Sequence, residues 1–247
     1  MSDALVLSGR ALRLNRRTPD ALVVGIALPV LLMVVFVELF GGAIRGTGEY
    51  VQYVVPGVLV LAAAFGSGTT AVAVSQDFGR GVVDRFRTFD VGAPAFLAGH
   101  VAASLVRSAV SSVLVVGVAV ALGFRPQAGP AGWLLAAAVL AGFVAALSWL
   151  SAVVGLLASS GEGASGATFF VSFLPYLSSA FVPVDTMPSW LQGFAEHQPI
   201  TTTVECLRAL LLDRPVGSLA VQSLAECALV VLVCLPLAGV LFARRTR

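Results

Sequence analysis

Six apolar runs constrain this 247-residue chain more than anything else in it: roughly 21–40, 54–75, 100–122, 132–158, 166–182 and 219–242. A helix needs about 20 mostly apolar residues to cross the hydrocarbon core of a bilayer. Hydrophobic residues make up 58% of the chain and charged residues 11%, whereas a soluble domain carries about 25% charged residues. The expected fold is therefore an all-α integral membrane protein with six transmembrane helices in one domain spanning 1–247. The fifth run is short and contains Pro175, as suits a kinked or partly re-entrant helix. Pro29, Gly66, Gly68, Gly142 and Pro236 are tolerable because neighbouring helices can re-satisfy the backbone.

Orientation follows from arginine. All 15 basic residues are Arg. With the N-terminus in the cytoplasm, the inside segments hold Arg10, Arg13, Arg16, Arg17, Arg80, Arg85, Arg87, Arg244, Arg245 and Arg247, and the outside segments hold Arg45, Arg125, Arg208 and Arg214. The positive-inside bias places both termini in the cytoplasm and the 183–218 segment outside. The basic N-terminal region runs into a span-length apolar stretch without a small-residue cleavage site, so no secretory signal peptide is expected. The loop 159–166, rich in Ser and Gly, reads as a flexible turn.

The absence of Lys has a chemical consequence. The phosphate-binding loop of ATPases uses a Lys to reach the terminal phosphates, so this chain lacks a standard one, and any ATP it depends on is hydrolysed by another polypeptide. Cys206, Cys227 and Cys234 lack ligand spacing and read as small packing residues. His100 and His197 each stand alone, with no neighbour at metal-ligand spacing. No catalytic triad, carboxylate dyad or zinc motif is present, so the chain reads as non-catalytic, with no cofactor, metal or nucleic acid of its own.

Two amphipathic segments fall on the cytoplasmic side. In 2–18, Ala4, Leu7, Ala11 and Leu14 share one side and Arg10, Arg13 and Arg17 the other, as in a helix lying on anionic lipid. In 76–98, Phe78, Val82, Phe86 and Phe89 recur at helical spacing, with Asp77, Arg80, Asp84, Arg85 and Arg87 on other faces. An apolar aromatic stripe in a cytoplasmic loop suits a groove on a partner protein.

Ionisable residues within spans cost roughly 2.5–3.5 kcal/mol on insertion scales and are functional candidates by default. Glu38 falls at the outer end of its run. Arg107, about 10 Å into the third run at 1.5 Å per residue, is placed to snorkel to the cytoplasmic interface. Glu226, a similar distance from the outer end of the sixth run, is too short to do so and is a candidate for the transport path. The alternative for Glu226 is a hydrogen bond to a neighbouring helix or to the outer segment. Glu205 and Arg208, three apart on an outer helix, suggest a local ion pair worth about tenths of a kcal/mol.

The segment from 174 to 212 carries the strongest family signal. Ala180-Phe181-Val182-Pro183 ends an apolar run, Met187-Pro188-Ser189-Trp190-Leu191 restarts the chain, His197-Gln198-Pro199 breaks it again, and Leu207-Arg208-Ala209-Leu210 lies in a second short helix. In order and spacing this resembles the permeases of type-2 ATP-binding-cassette (ABC) exporters, in the bacterial drug-resistance branch of daunorubicin type. The resemblance implies an interfacial helix at 2–18, a coupling helix in 76–98 that touches the ATPase, and a two-helix outer re-entrant hairpin over 183–213. Asp84-Arg85-Phe86-Arg87 resembles the family's acidic/Arg-hydrophobic-Arg pattern, while Phe89-Asp90-Val91-Gly92-Ala93 departs from its usual continuation. Phe78, Val82, Asp84, Arg85, Phe86, Arg87 and Phe89 are then the expected ATPase contacts. Phe173, Tyr176, Phe181, Trp190, Glu205 and Glu226 are the expected transport path or outer gate.

On that resemblance the chain is the permease subunit of an exporter in the bacterial cytoplasmic membrane. It would pair with a second permease copy or paralogue and with two ATPase subunits that bind ATP and Mg. A small-residue interior with Phe169, Phe170, Phe173, Tyr176 and Phe181 suits a hydrophobic or amphipathic cargo: a drug, an antibiotic or a lipid-linked molecule. A secondary transporter and a non-transporting membrane scaffold are the alternatives. One outer-half Glu and one inner-half Arg make a poor proton relay for the former.

Overall fold

The computed structural model describes the backbone of residues 19–44, 47–79 and 93–245, and the side chains of 27–39, 49–79 and 95–245. The expected interfacial helix at 2–18 lies outside these, as do Val82, Asp84, Arg85, Phe86, Arg87 and Phe89. The described residues are helical without strands. In chain order the helices are α1 (Pro19–Ile44), α2 (Thr47–Gly79), α3 (Ala93–Ala121), α4 (Pro130–Leu157), α5 (Gly161–Phe173), α6 (Ser189–His197), α7 (Pro199–Leu211) and α8 (Leu219–Arg245). Four of them, α2, α3, α4 and α8, are long and apolar enough to cross a membrane, and α1 contributes the shorter apolar stretch Ala27–Leu39.

The bundle is built around α2, which packs against α1, α3, α4, α5 and α7. Its sequence explains why. Lipid tails are as apolar as Leu, so hydrophobicity gives helices no reason to associate; small side chains that let backbones approach do. Through 57–71, α2 carries Gly57, Gly66, Gly68 and a series of Ala, Ser and Thr. The same device brings α4 onto α2 at Gly155, where a Cβ would lie 2.5 Å from the Ala71 carbonyl oxygen.

At one end of the bundle Arg245 closes α4, donating from Nη1 to the Gly155 and Leu156 carbonyls at 3.0 and 2.9 Å and from Nη2 to the Ala158 carbonyl at 2.7 Å. These are carbonyls at a helix C-terminus without intrahelical partners, where a cation is favoured. The opposite end carries the loop between α3 and α4 and the α6–α7 hairpin.

Three sequence expectations change. The fifth run is not a continuous helix over 166–182: α5 ends at Phe173, a 3₁₀ turn follows at Leu174–Leu177, and the chain then turns without helix toward Pro183. Pro175 starts the 3₁₀ turn because proline has no N–H to continue an α-helix. The loop expected as a flexible turn at 159–166 is largely helix, since Ser160 Oγ accepts from the Gly163 N–H at 3.1 Å and caps α5 from Gly161 onward. The 76–98 segment begins and ends inside helices, with α2 running to Gly79 and α3 starting at Ala93.

Candidate functional site at the hairpin

After the 3₁₀ turn, residues 178–183 run against α2. The contact is backbone to backbone: a Cβ on Gly57 would sit 2.4 Å from the Ala180 carbonyl oxygen, so only glycine fits. Two tyrosines of α2 hold the segment there. Tyr50 Oη donates to the Phe181 carbonyl at 3.1 Å, and Tyr53 Oη to the Ser179 carbonyl at 2.9 Å. Ser178 folds the turn locally, its Oγ donating to the Pro175 carbonyl at 2.6 Å and accepting from the Ala180 N–H at 3.2 Å. Gln198, between α6 and α7, reaches back to donate to the Leu177 carbonyl.

Arg208 of α7 completes the junction and is only 4% exposed. Its Nε and Nη2 both donate to the Tyr53 carbonyl at 3.2 Å, and Nη2 also donates to the Ser179 carbonyl at 2.8 Å. Nη1 donates to the Glu205 carboxylate, and the guanidinium carbon stands 3.8 Å from the centre of the Tyr53 ring. The local ion pair expected between Glu205 and Arg208 is present, with Arg208 buried and Glu205 partly exposed. Isolated, a buried guanidinium would cost several kcal/mol; here its planar donor fork is shared among two carbonyls, one carboxylate and one ring face. Three segments distant in sequence are joined by one side chain.

Around this junction the predicted gate residues separate. Phe181 is buried and stacks on Phe36 at 4.8 Å and Tyr176 at 5.1 Å. It is part of the hydrophobic core of this chain. Phe169, Phe170 and Phe173 form a contiguous exposed aromatic face on α5, with Phe173 also 5.3 Å from Tyr176. Trp190 is 79% exposed on α6. By contrast α7 is not a surface helix: it is buried along nearly its whole length against α2, α4 and α8.

Glu226 on α8 accepts from Gln222 Nε2 at 3.1 Å and from Thr202 Oγ1 of α7 at 3.4 Å, while its Oε2 is buried without a partner. The hydrogen bond to the hairpin foreseen as the alternative for this carboxylate is therefore present. Next to it Thr203 and Ser223 pair at 2.9 Å. Arg107 does not snorkel. Because α3 starts at Ala93, Arg107 stands at its middle, and Nη2 donates to the Gly66 carbonyl of α2 at 3.2 Å while Nε is buried without a partner.

At the Arg245 end, Phe78 is not in a loop but in the last turns of α2. Its ring meets Phe96 at 6.3 Å and Phe242 at 5.3 Å, with the Arg245 guanidinium 5.1 Å above it. His100, expected to be alone, lies 3.3 Å from the Asp77 carboxylate. Among the described residues no cluster could hold a metal ion. The residues that sequence reasoning passed over are Tyr50, Tyr53, Gly57 and the buried role of Arg208. The available signal was a single Glu–Arg pair, Glu205 and Arg208, in an otherwise uncharged α7 and two Tyr one turn apart at the start of α2.

Four membrane-length helices gathered on a small-residue core, with α7 buried among them at one end, make this an α-helical membrane protein. The sequence profile of the ABC-2 type transporter family matches residues 3–212, and the chain belongs to that family. It is 34% identical over 204 residues to the daunorubicin resistance ABC transporter permease protein DrrB1 of Streptomyces coeruleorubidus, covering 82% of this chain and 72% of that one. It is 26% identical over 245 residues to the probable doxorubicin resistance ABC transporter permease protein DrrC of Mycobacterium tuberculosis, covering 96% of this chain and 87% of the relative.

Proposed function

We propose that this chain is the permease subunit of an exporter for a hydrophobic or amphipathic cargo, driven by a separate ATPase that binds ATP and Mg. Two permease copies, or one and a paralogue, enclose the path and two ATPase subunits dock on the cytoplasmic side. The chain crosses the bacterial cytoplasmic membrane six times with both termini inside, and the 183–213 hairpin acts as the outer lid. The relatives' names and the arginine distribution support this reading.

The observation that carries the mechanism is the continuity of α2. One helix runs from within the 76–98 segment proposed to meet the ATPase, which it leaves at Gly79, to the junction of Tyr50, Tyr53 and Gly57 with the 178–183 segment. Movement imposed on 80–92 is delivered along α2 to the 178–183 segment and, through Arg208, to α7. Interfaces packed backbone to backbone transmit such movement because they shift as units rather than deform.

The test is docking. Phe86→Ala or Arg85→Glu should lower ATPase co-purification about tenfold and abolish export while permease abundance stays normal, since burying a Phe is worth roughly 1.5–3 kcal/mol. Val182→Ala, at the other end, should leave docking unchanged. Full ATPase retention by both loop variants would remove 76–98 as the docking element. Topology is checked with an impermeant maleimide: a Cys at Ser189 should label from outside and one at Ser2 only after lysis. The purified chain alone should hydrolyse no ATP, and its ATPase partner should restore turnover.

A further inference from the structure

A second feature lies away from the junction, on the flank of the bundle. Between α3 and α4 runs a half-open groove of about 360 Å³. Its walls are two facing stripes, each at the i, i+3, i+4 spacing of one helix face: Leu105 to Val116 on α3 and Trp133 to Val144 on α4. Leu59 of α2 and Leu207 and Leu211 of α7 form the floor. Nearly every wall atom is apolar; Ser108 and Ser112 supply the two hydroxyls, and Ser112 Oγ already donates to the Ser108 carbonyl.

We propose that this groove holds one acyl chain of a phospholipid from the leaflet at the hairpin end, with the lipid phosphate at Arg125 and Arg214. Length is the first argument. Eleven helical steps along either wall span about 16 Å at 1.5 Å per residue, which is one leaflet of a hydrocarbon core of about 30 Å. The groove occupies the half of α3 and α4 nearest the hairpin, as a chain from that leaflet requires.

Charge is the second argument. The loop that closes the groove at this end, between Ala121 and Pro130, carries Arg125, and the chain leaving α7 just after the floor residue Leu211 carries Arg214. One backbone bond joins the two segments, the Gln127 N–H donating to the Leu211 carbonyl at 2.9 Å, while the Arg214 N–H closes the end of α7 on the Ala209 carbonyl at 2.8 Å. Both arginine side chains are exposed, and among the described residues neither is paired with a carboxylate. Arginine is the side chain suited to phosphate. Trp133, a groove residue near the start of α4, sits where membrane proteins place tryptophan, at headgroup level. The floor is the hairpin's own buried helix, so a bound chain braces the lid from the side, away from the Gly57 junction. The inference rests only on the helices crossing a bilayer; its failure would leave the docking experiment standing.

The test is native mass spectrometry of the full-length chain released from nanodiscs containing equal phosphatidylglycerol and phosphatidylcholine. The wild type should retain one phospholipid per chain after mild delipidation, enriched in phosphatidylglycerol. Ala137→Phe, which fills the groove from its open side, should abolish that retention without changing the chain's thermal midpoint. Ala141→Leu, one turn deeper, serves if the first variant fails to insert. Arg125→Gln with Arg214→Gln should lower retention about tenfold, the scale of losing charge-assisted hydrogen bonds, and remove the headgroup preference. Leu232→Phe on α8 should change nothing. Wild-type retention in both groove-filling variants overturns the site. Retention indifferent to the arginines but displaced by tetraphenylphosphonium would make it a site for apolar cations and overturn the phospholipid assignment.

Discussion

α2 and α8 are both long and apolar enough to cross a membrane, yet they use their surfaces in opposite ways. In their most apolar stretches 72% of α2 is buried inside the bundle and only 17% of α8, although α8 is the more apolar of the two. In water the order would be reversed. In lipid, apolar surface is already solvated, so what earns a central position is the capacity for close backbone contact and for internal hydrogen bonds. α2 has Gly57, Gly66, Gly68, Tyr50, Tyr53, Ser67 and Thr70. α8 turns Val221, Leu229, Leu232 and Val233 outward and packs along α4 and α7 with its remaining face.

The comparison can be broken most decisively at Gly57. Gly57→Leu would drive a side chain into the Ala180 backbone, which cannot rotate away, and we expect a loss of about 3 kcal/mol, at the top of the overpacking range. The thermal midpoint of the purified chain and its abundance in membranes should both fall. A tolerated Gly57→Leu would show that α2 and the 178–183 segment are not held together.

Next in size is Arg208→Met, which keeps bulk but removes one of the two donors to the Ser179 carbonyl, the side-chain donor to the Tyr53 carbonyl and the ion-pair partner of Glu205. We expect about 2 kcal/mol, since hydrogen bonds to a charged group contribute roughly 1.5–3 kcal/mol. Arg208→Lys should recover only part of it, because an ammonium cannot span three acceptors as a guanidinium fork does. If α7 stayed packed only through its apolar residues, Met would be neutral; protease accessibility of 183–213 in the two variants reads that directly.

Smaller still, Tyr50→Phe removes one hydroxyl and should cost about 1 kcal/mol, visible as a shift in thermal midpoint with export retained. At the bottom of the scale Leu232→Ala on α8 should fall within about 0.5 kcal/mol, as for exposed positions elsewhere. A larger effect at Leu232 would mean that another chain covers α8, and would sharpen the contrast into one between two kinds of interface.

Much of this was legible from sequence. Long apolar runs announce helices because the backbone in lipid has no other way to satisfy its N–H and C=O groups. The spacing of Pro183, Pro188, Trp190, Pro199 and Arg208 announced the two short helices α6 and α7 and the family. Helix ends were less legible. α2 begins before Tyr50 and ends after Phe78, since in the bundle polar and aromatic residues at helix ends find partners that a hydropathy window cannot see. Phe78 sat on a plausible partner-facing stripe, but Phe96, Phe242 and Arg245, from other parts of the chain, cover much of its ring.

The sequence by itself determined that this chain enters a membrane as a set of helices, and that it carries no lysine to cradle a phosphate. Those properties are local: they depend on run length and residue type. Only the tertiary structure decided that α2 is the axis of the bundle, that α7 is buried, and that Arg208 serves two carbonyls, a carboxylate and a tyrosine ring. Arg208 and Tyr53 stand 155 residues apart in the chain. A contact over that separation leaves no periodicity to read, because its energy comes from filling donors and acceptors that meet only after the helices have packed.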